Sequence, residues 1–160
     1  MRIALLSNPT SGRGRHAAAD DIALRVLTEA GHEVLHVRGS SYEQTRRAGR
    51  TLLGDGPHRN IEALVVVGGD GMVHLGVDIV ATTGVPLGIV ATGTGNDIAR
   101  HFNLPSRDAE ASACLINQAL SGEGAITAVD AIYASRPDGT LLAPQRRWSL
   151  AVVSAGVDAA

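Results

Sequence analysis

Apolar residues along this chain follow two rhythms that alternate. Ile3–Leu6, Glu33–Val37, Ile61–Val67 and Val85–Val90 are short runs, several dominated by Val, Leu and Ile. Runs of that length suit strands, and uninterrupted ones suit strands covered on both faces, as in a parallel sheet. Between them the spacing changes. Ala19, Ile22, Ala23, Val26, Leu27 and Ala30 recur at helical intervals from Ala17 onward, leaving one apolar face, and Gly31 is placed to stop that helix. Tyr42–Leu53 reads as a helix carrying Arg46, Arg47 and Arg50, ended by the Gly54–Pro57 breaker. Met72–Ala81 reads as a helix opening directly after the third run. A short helix to Phe102 follows the fourth, Pro105 breaks it, and Ala109–Leu120 is a further helix.

Strand–helix alternation over the first 120 residues predicts an α/β fold, a mainly parallel sheet flanked by helices on both faces. From Ala125 the rhythm changes. Ala125–Ser135 is a long extended run, Arg136–Gly139 a turn, the chain is extended again from Thr140, and Trp148–Ser154 is a strand candidate. Successive strands without helices pair antiparallel. The expected organisation is therefore an α/β domain over residues 1–124 and, over 125–160, the first strands of an incomplete all-β domain. Uncovered strands there predict dimerisation or strand exchange through residues 125–160.

Composition narrows the possibilities. Aromatics make up only 2% of the 160 residues, so the core must be aliphatic. A net charge of -2 excludes general nucleic-acid binding by bulk electrostatics. One cysteine, Cys114, excludes an internal disulfide framework; it falls in a helical run and reads as buried and inert. The opening MRIALLSNP is too short for a signal peptide, and no apolar run approaches the ~20 residues of a membrane span. The expected location is cytoplasmic; were the substrate a lipid, it would be met peripherally at a membrane surface.

Three polar, glycine-rich loops follow predicted strands: Asn8–Gly14, Gly68–Gly71 and Gly93–Asp97. In a parallel sheet such loops gather at one edge and converge on one crevice. Glycine turns that open helices suit phosphate, because free backbone N–H groups and the helix N-terminus favour anions. Arg13 and Arg15 read either as further positive charge for that site or as ordinary surface charge. Asp70 and Asp97 stand at the same edge, where a magnesium ion between them would reconcile two carboxylates with a phosphate. Neither GxxxxGK(S/T) nor GxGxxG is present, which disfavours a P-loop NTPase and a standard dinucleotide fold.

In this order and spacing, Asn8-Pro9-Thr10-Ser11-Gly12, Gly68-Gly69-Asp70-Gly71 and Gly93-Thr94-Gly95-Asn96-Asp97 resemble the catalytic region of the soluble diacylglycerol kinase family, which includes sphingosine-type and bacterial lipid kinases. GGDG is shared with the wider superfamily that contains NAD kinases and 6-phosphofructokinases; GTGND and NPTSG are more selective for the lipid-kinase branch. The resemblance spans essentially the whole chain. It implies a nucleotide-binding α/β domain followed by a β-sandwich, with ATP in the cleft between them. It places Asn8, Pro9, Thr10, Ser11, Gly12 and Arg13 with Gly68, Gly69, Asp70, Gly71 and Met72 along the ATP phosphates, and Gly93, Thr94, Gly95 and Asn96 in the same site. Ser40 or Ser41 is the nearest counterpart of a family Thr after the second strand. Asp70, Asp97 and Asp130 would share a Mg²⁺–water network, and Asp70, Asp97 and Arg100 would act in catalysis. A solvated arginine is the alternative at Arg100, and a strand-end residue at Asp130.

The implied activity is ATP- and Mg²⁺-dependent phosphorylation of a lipid hydroxyl such as that of diacylglycerol, a step in phospholipid metabolism. Met72 stands where the family has Thr, and His74 and Leu75 where it has Asn and Glu; His74 reads as a helix-surface histidine. The family's general base and lipid pocket lie in the second domain, so the 160-residue chain alone is expected to be inactive. The competing readings are an NAD kinase, a nucleotide-binding module without catalysis, and an ordinary Rossmann oxidoreductase.

Overall fold

A computed structural model describes residues 1–8, 17–54, 60–134 and 148–150. The strands of the main sheet are β1 (Arg2–Ser7), β2 (Glu33–Arg38), β3 (Ala63–Gly68) and β4 (Leu87–Ala91). They lie in the order β2-β1-β3-β4, every neighbouring pair parallel. The helices are α1 (Ala17–Glu29), α2 (Tyr42–Leu53), α3 (Asp70–Val80), α4 (Asp97–His101) and α5 (Ala109–Ser121). A separate two-stranded antiparallel sheet joins β5 (Ile132–Tyr133) to β6 (Trp148–Ser149).

The period of two along each strand sorts the core into two layers. Ile3 and Leu5 of β1 and Ala63, Val65 and Val67 of β3 pack with Ala19, Ala23 and Leu27 of α1 and with Ala113 and Ile116 of α5. Ala4, Leu6, Leu64 and Val66 point the other way, toward Leu53 of α2, Leu75 and Ile79 of α3, and Ile98 of α4. Every residue of β3 is buried, as its unbroken apolar run requires. Each fully buried Val, Leu or Ile contributes about 1.5–3 kcal/mol, so the two central strands anchor the domain.

Several boundaries differ from the sequence expectation. α3 begins at Asp70, not Met72: Gly69 is its N-cap, and its carbonyl already accepts from Met72 N (2.9 Å) and Val73 N (3.2 Å). The aspartate and last glycine of GGDG, Asp70 and Gly71, are thus helical. The long run from Ala125 is strand only at Ile132–Tyr133, and in the last candidate strand only Trp148–Ser149 is strand among the described residues. Cys114 is exposed, because the buried stripe of α5 runs through Ser112, Ala113 and Ile116 and leaves position 114 facing outward. Gly31 does end α1, with φ +85. The first loop from Pro9 to His16, the predicted turn at 136–139 and residues 151–160 lie outside the described residues.

α2 and α3 are joined by charge as well as packing. Asp78, buried on α3, accepts from Arg46 Nε at 2.9 Å and Arg50 Nη2 at 3.3 Å, both on α2. Two of the three arginines seen along the α2 sequence are therefore structural.

Candidate active site

In this strand order the chain leaves β1 toward β2 on one side and β3 toward β4 on the other. The carboxyl ends of β1 and β3 are thus the topological switch point, where open α/β sheets bind ligands. A cleft of about 830 Å³ opens there, with Asn8 after β1, Gly69, Gly71 and Met72 after β3, and Thr92, Gly93 and Thr94 after β4 on its walls. The convergence expected of the three loops holds for the described part of each. Pro9, Thr10, Ser11, Gly12 and Arg13 lie outside the described residues.

The second and third loops touch backbone to backbone. A Cβ built on Gly93 would stand 2.5 Å from Gly69 Cα, and one on Gly69 would stand 3.2 Å from Gly93 Cα. Thr92 N donates to Gly68 O at 2.9 Å, carrying the β3–β4 ladder into the loops. Only glycine at both positions permits this approach, which leaves backbone and the N-terminus of α3 facing the cleft, a setting that favours anions.

Asp70 joins the same two loops. Its Oδ1 accepts from Ile98 N at 3.2 Å, capping α4 from another segment, since Asn96 makes no side-chain cap of its own. The other oxygen, Oδ2, lies 3.1 Å from the Cβ position of Gly95, and Asp97 Oδ2 lies 3.8 Å from that point. The two carboxylates therefore flank Gly95. Asp130 is exposed in the segment after α5, and among the described residues no three His, Cys, Asp or Glu side chains gather as a metal-holding group. Asp97 is exposed and paired with Arg100, so Arg100 neutralises a carboxylate rather than lining the cleft.

Asn96 takes the left-handed conformation, φ +52, which its short polar side chain tolerates. Buried at 2% exposure, it donates through Nδ2 to Gly93 O (2.9 Å) and Ser106 Oγ (2.8 Å), while its Oδ1 finds no protein partner. Asn96 thus fixes the shape of its loop. Met72 is 7% exposed and packs in the core between α3 and the sheet, so its side chain serves packing while its position borders the cleft. Ser40 hydrogen-bonds Gln44 Oε1 through both N (2.8 Å) and Oγ (2.7 Å), beside the Ser41 cap of α2, and does not line the cleft.

His74 is not simply a helix-surface residue. Its Nδ1–H donates to Asp70 O at 2.8 Å, which leaves Nε2 to accept from Ser149 Oγ at 3.3 Å. The side chain therefore ties the first turn of α3 to β6.

Sequence reasoning missed a buried network at the carboxyl end of β1. Ser7 Oγ, at the end of β1, donates to Asp20 Oδ2 at 2.6 Å and lies 3.3 Å from His36 Nε2; Arg38 Nε donates to Asp20 at 3.3 Å. Burial alone would raise the Asp20 carboxyl, but the nearby His36 ring, with Nε2 3.7 Å from Oδ2, and the hydrogen bonds from Ser7 and Arg38 outweigh it and hold the group below the usual carboxylate range. Also missed were Tyr42, Thr92 and Arg107 on the cleft wall. Asp20 and Arg107 carried no signal beyond being charged, because their neighbours come from other segments.

A family profile described as diacylglycerol kinase catalytic domain matches residues 2–134. A diacylglycerol kinase of Mycobacterium tuberculosis (strain H37Rv) is 35% identical over 115 residues, 72% of this chain and 36% of that protein. A diacylglycerol kinase of Staphylococcus aureus (strain MRSA252) is 31% identical over 108 residues, 66% of this chain and 33% of that protein. A solved structure of a diacylglycerol kinase from Bacillus anthracis (strain Sterne) shares the fold, with a TM-score of 0.57 and 22% identity over 73% of this chain and 39% of that one. The chain spans about a third of the length of the curated relatives it matches. With its parallel sheet, its paired glycine loops and a match covering most of its length, the chain belongs to the diacylglycerol kinase catalytic domain family.

Proposed function

We propose that this chain carries the nucleotide-binding part of an ATP- and Mg²⁺-dependent lipid kinase, which transfers the γ-phosphoryl group of ATP to the hydroxyl of a lipid such as diacylglycerol. The observation that carries the reading is the close approach of Gly69 and Gly93 at the switch point. It gives a cleft walled by backbone and the N-terminus of α3, suited to a polyphosphate. Phosphoryl transfer depends mainly on positioning and charge stabilisation, which rigid loops of this kind provide.

The residues present fit magnesium. Asp70 Oδ2 and Asp97 Oδ2 are hard oxygen donors flanking one glycine, and Mg²⁺ needs few protein carboxylates because it keeps waters and binds substrate phosphates. Bound there, the ion would neutralise phosphate charge. Asp70 Oδ1 meanwhile holds α4 in place, so the carboxylate would both orient the loop and face the ion. Among the described residues no helix is long and apolar enough to cross a membrane, which accords with a peripheral encounter with lipid.

The test is equilibrium ATP binding with and without Mg²⁺. Saturable binding strengthened by Mg²⁺ is expected, with Asp70→Asn losing the Mg²⁺-dependent increment. No ATP binding at millimolar concentration, or tighter binding of NAD than of ATP, would overturn the reading.

A further inference from the structure

The strongest unassigned feature of the cleft is its cation. Arg2, Arg25, Arg38, Arg46, Arg50 and Arg100 each pair with a carboxylate. Arg107 has no carboxylate partner among the described residues, yet it lines the cleft beside Thr92, Gly93 and Thr94. No Asp or Glu is among the described residues on that wall.

The structure holds this arginine in place from several sides. Arg107 N donates to Ala91 O at 2.8 Å, and Ser106 forms a parallel bridge with Ala91, so the segment lies along the end of β4. Asn96 Nδ2 donates to Ser106 Oγ at 2.8 Å. The guanidinium itself donates from Nη2 to Thr94 O at 3.0 Å. Its backbone is left-handed, φ +62, a conformation uncommon for a bulky residue that persists only where the surroundings impose it. A guanidinium has five N–H donors in a planar fork, and one of them is engaged by Thr94. The others belong to an exposed, unneutralised cation at the edge of a cleft walled by glycine backbone.

We propose that Arg107 is a phosphate-contacting residue of the nucleotide site, holding the Gly93–Asp97 loop with one N–H and presenting the remaining donors to the phosphate chain. This rests on the nucleotide reading above. A planar fork matches phosphate oxygens in pairs, and seating it in advance reduces the cost of ordering a long side chain on binding. The residue lies outside NPTSG, GGDG and GTGND, so it adds a fourth segment to the site.

The experiment displaces a fluorescent ATP analogue from the 160-residue chain with ATP, ADP and AMP, comparing wild type with Arg107→Gly and Arg107→Lys. Glycine accepts the left-handed backbone, and lysine keeps charge but loses the fork. ATP binding is expected to weaken about 10-fold in Arg107→Gly, the scale of one lost hydrogen bond to a charged group. Arg107→Lys should fall between, and the loss should shrink from ATP to AMP. Circular dichroism checks the fold; should Arg107→Gly fail to fold, Arg107→Gln is read instead. Unchanged ATP affinity, or an equal loss for all three nucleotides, overturns the proposal while leaving the nucleotide reading intact. A wild-type chain that does not bind the analogue overturns both.

Discussion

Single atoms decide how the loops of this site meet. Gly93 can take no Cβ without striking Gly69 Cα, a backbone atom that cannot rotate away. Gly93→Ala is therefore expected to separate the two loops and cost about 1–3 kcal/mol, the usual range for overpacking. Urea denaturation monitored by far-UV circular dichroism measures this, and an unchanged midpoint would contradict it. GGDG and GTGND were legible in the sequence because glycines beside a lone aspartate after an apolar run are unusual. Their mutual contact was not legible, since nothing in either motif names the other. Asp70 shows the same limit: its position was evident, but the bond from Ile98 N that spends one of its oxygens comes from a residue 28 positions away.

Among elements, α3 does most of the joining. Its first turn borders the cleft, its Asp78 binds two arginines of α2, and its His74 reaches Ser149 on β6. Trp148, next to that serine, packs against the α2/α3 core and is the only tryptophan in the chain. Its fluorescence therefore reports whether β6 is docked. His74→Ala is expected to shift Trp148 emission to longer wavelength while leaving the far-UV spectrum of the parallel sheet unchanged. His74→Gln, which can still span two polar partners, should restore part of the native emission. An unmoved spectrum in His74→Ala would show that packing alone holds β6. Periodicity placed α2 and α5 within a residue of their observed limits. It placed α3 two residues late, because a helix start set by backbone bonds to Gly69 leaves no hydrophobic signature.

For the whole molecule, the buried Asp20 network makes stability depend on acid. The folded carboxyl lies below its unfolded value, held by His36, Ser7 and Arg38 against the cost of burial. Its contribution is fully present above the unfolded pKa of about 3.9 and is lost as pH falls through the folded value. Unfolding free energy should therefore drop as pH is lowered below about 4. Asp20→Asn should be less stable near neutrality and show a shallower acid slope, measured by urea melts across pH 3–6. An acid slope equal to that of the wild type would remove Asp20 as its source. Arg38, which also pairs with Asp21, stays charged throughout this range, so the slope belongs to the carboxylates.

Sequence alone determined the alternation of strands and helices, the parallel sheet and the glycine loops at its edge, and through NPTSG and GTGND the family. These are encoded locally, in period, run length and turn chemistry, which a chain carries before it folds. Tertiary structure decided the strand order β2-β1-β3-β4 that puts β1 and β3 side by side. It also brought Gly69 against Gly93, carried Asp20 beneath the end of β1, tied His74 to β6 and set Arg107 on the cleft wall. Each of these is a contact between segments far apart in the chain. Which segments meet is settled by how the two aliphatic faces of one sheet are covered, and no single stretch of sequence contains that information.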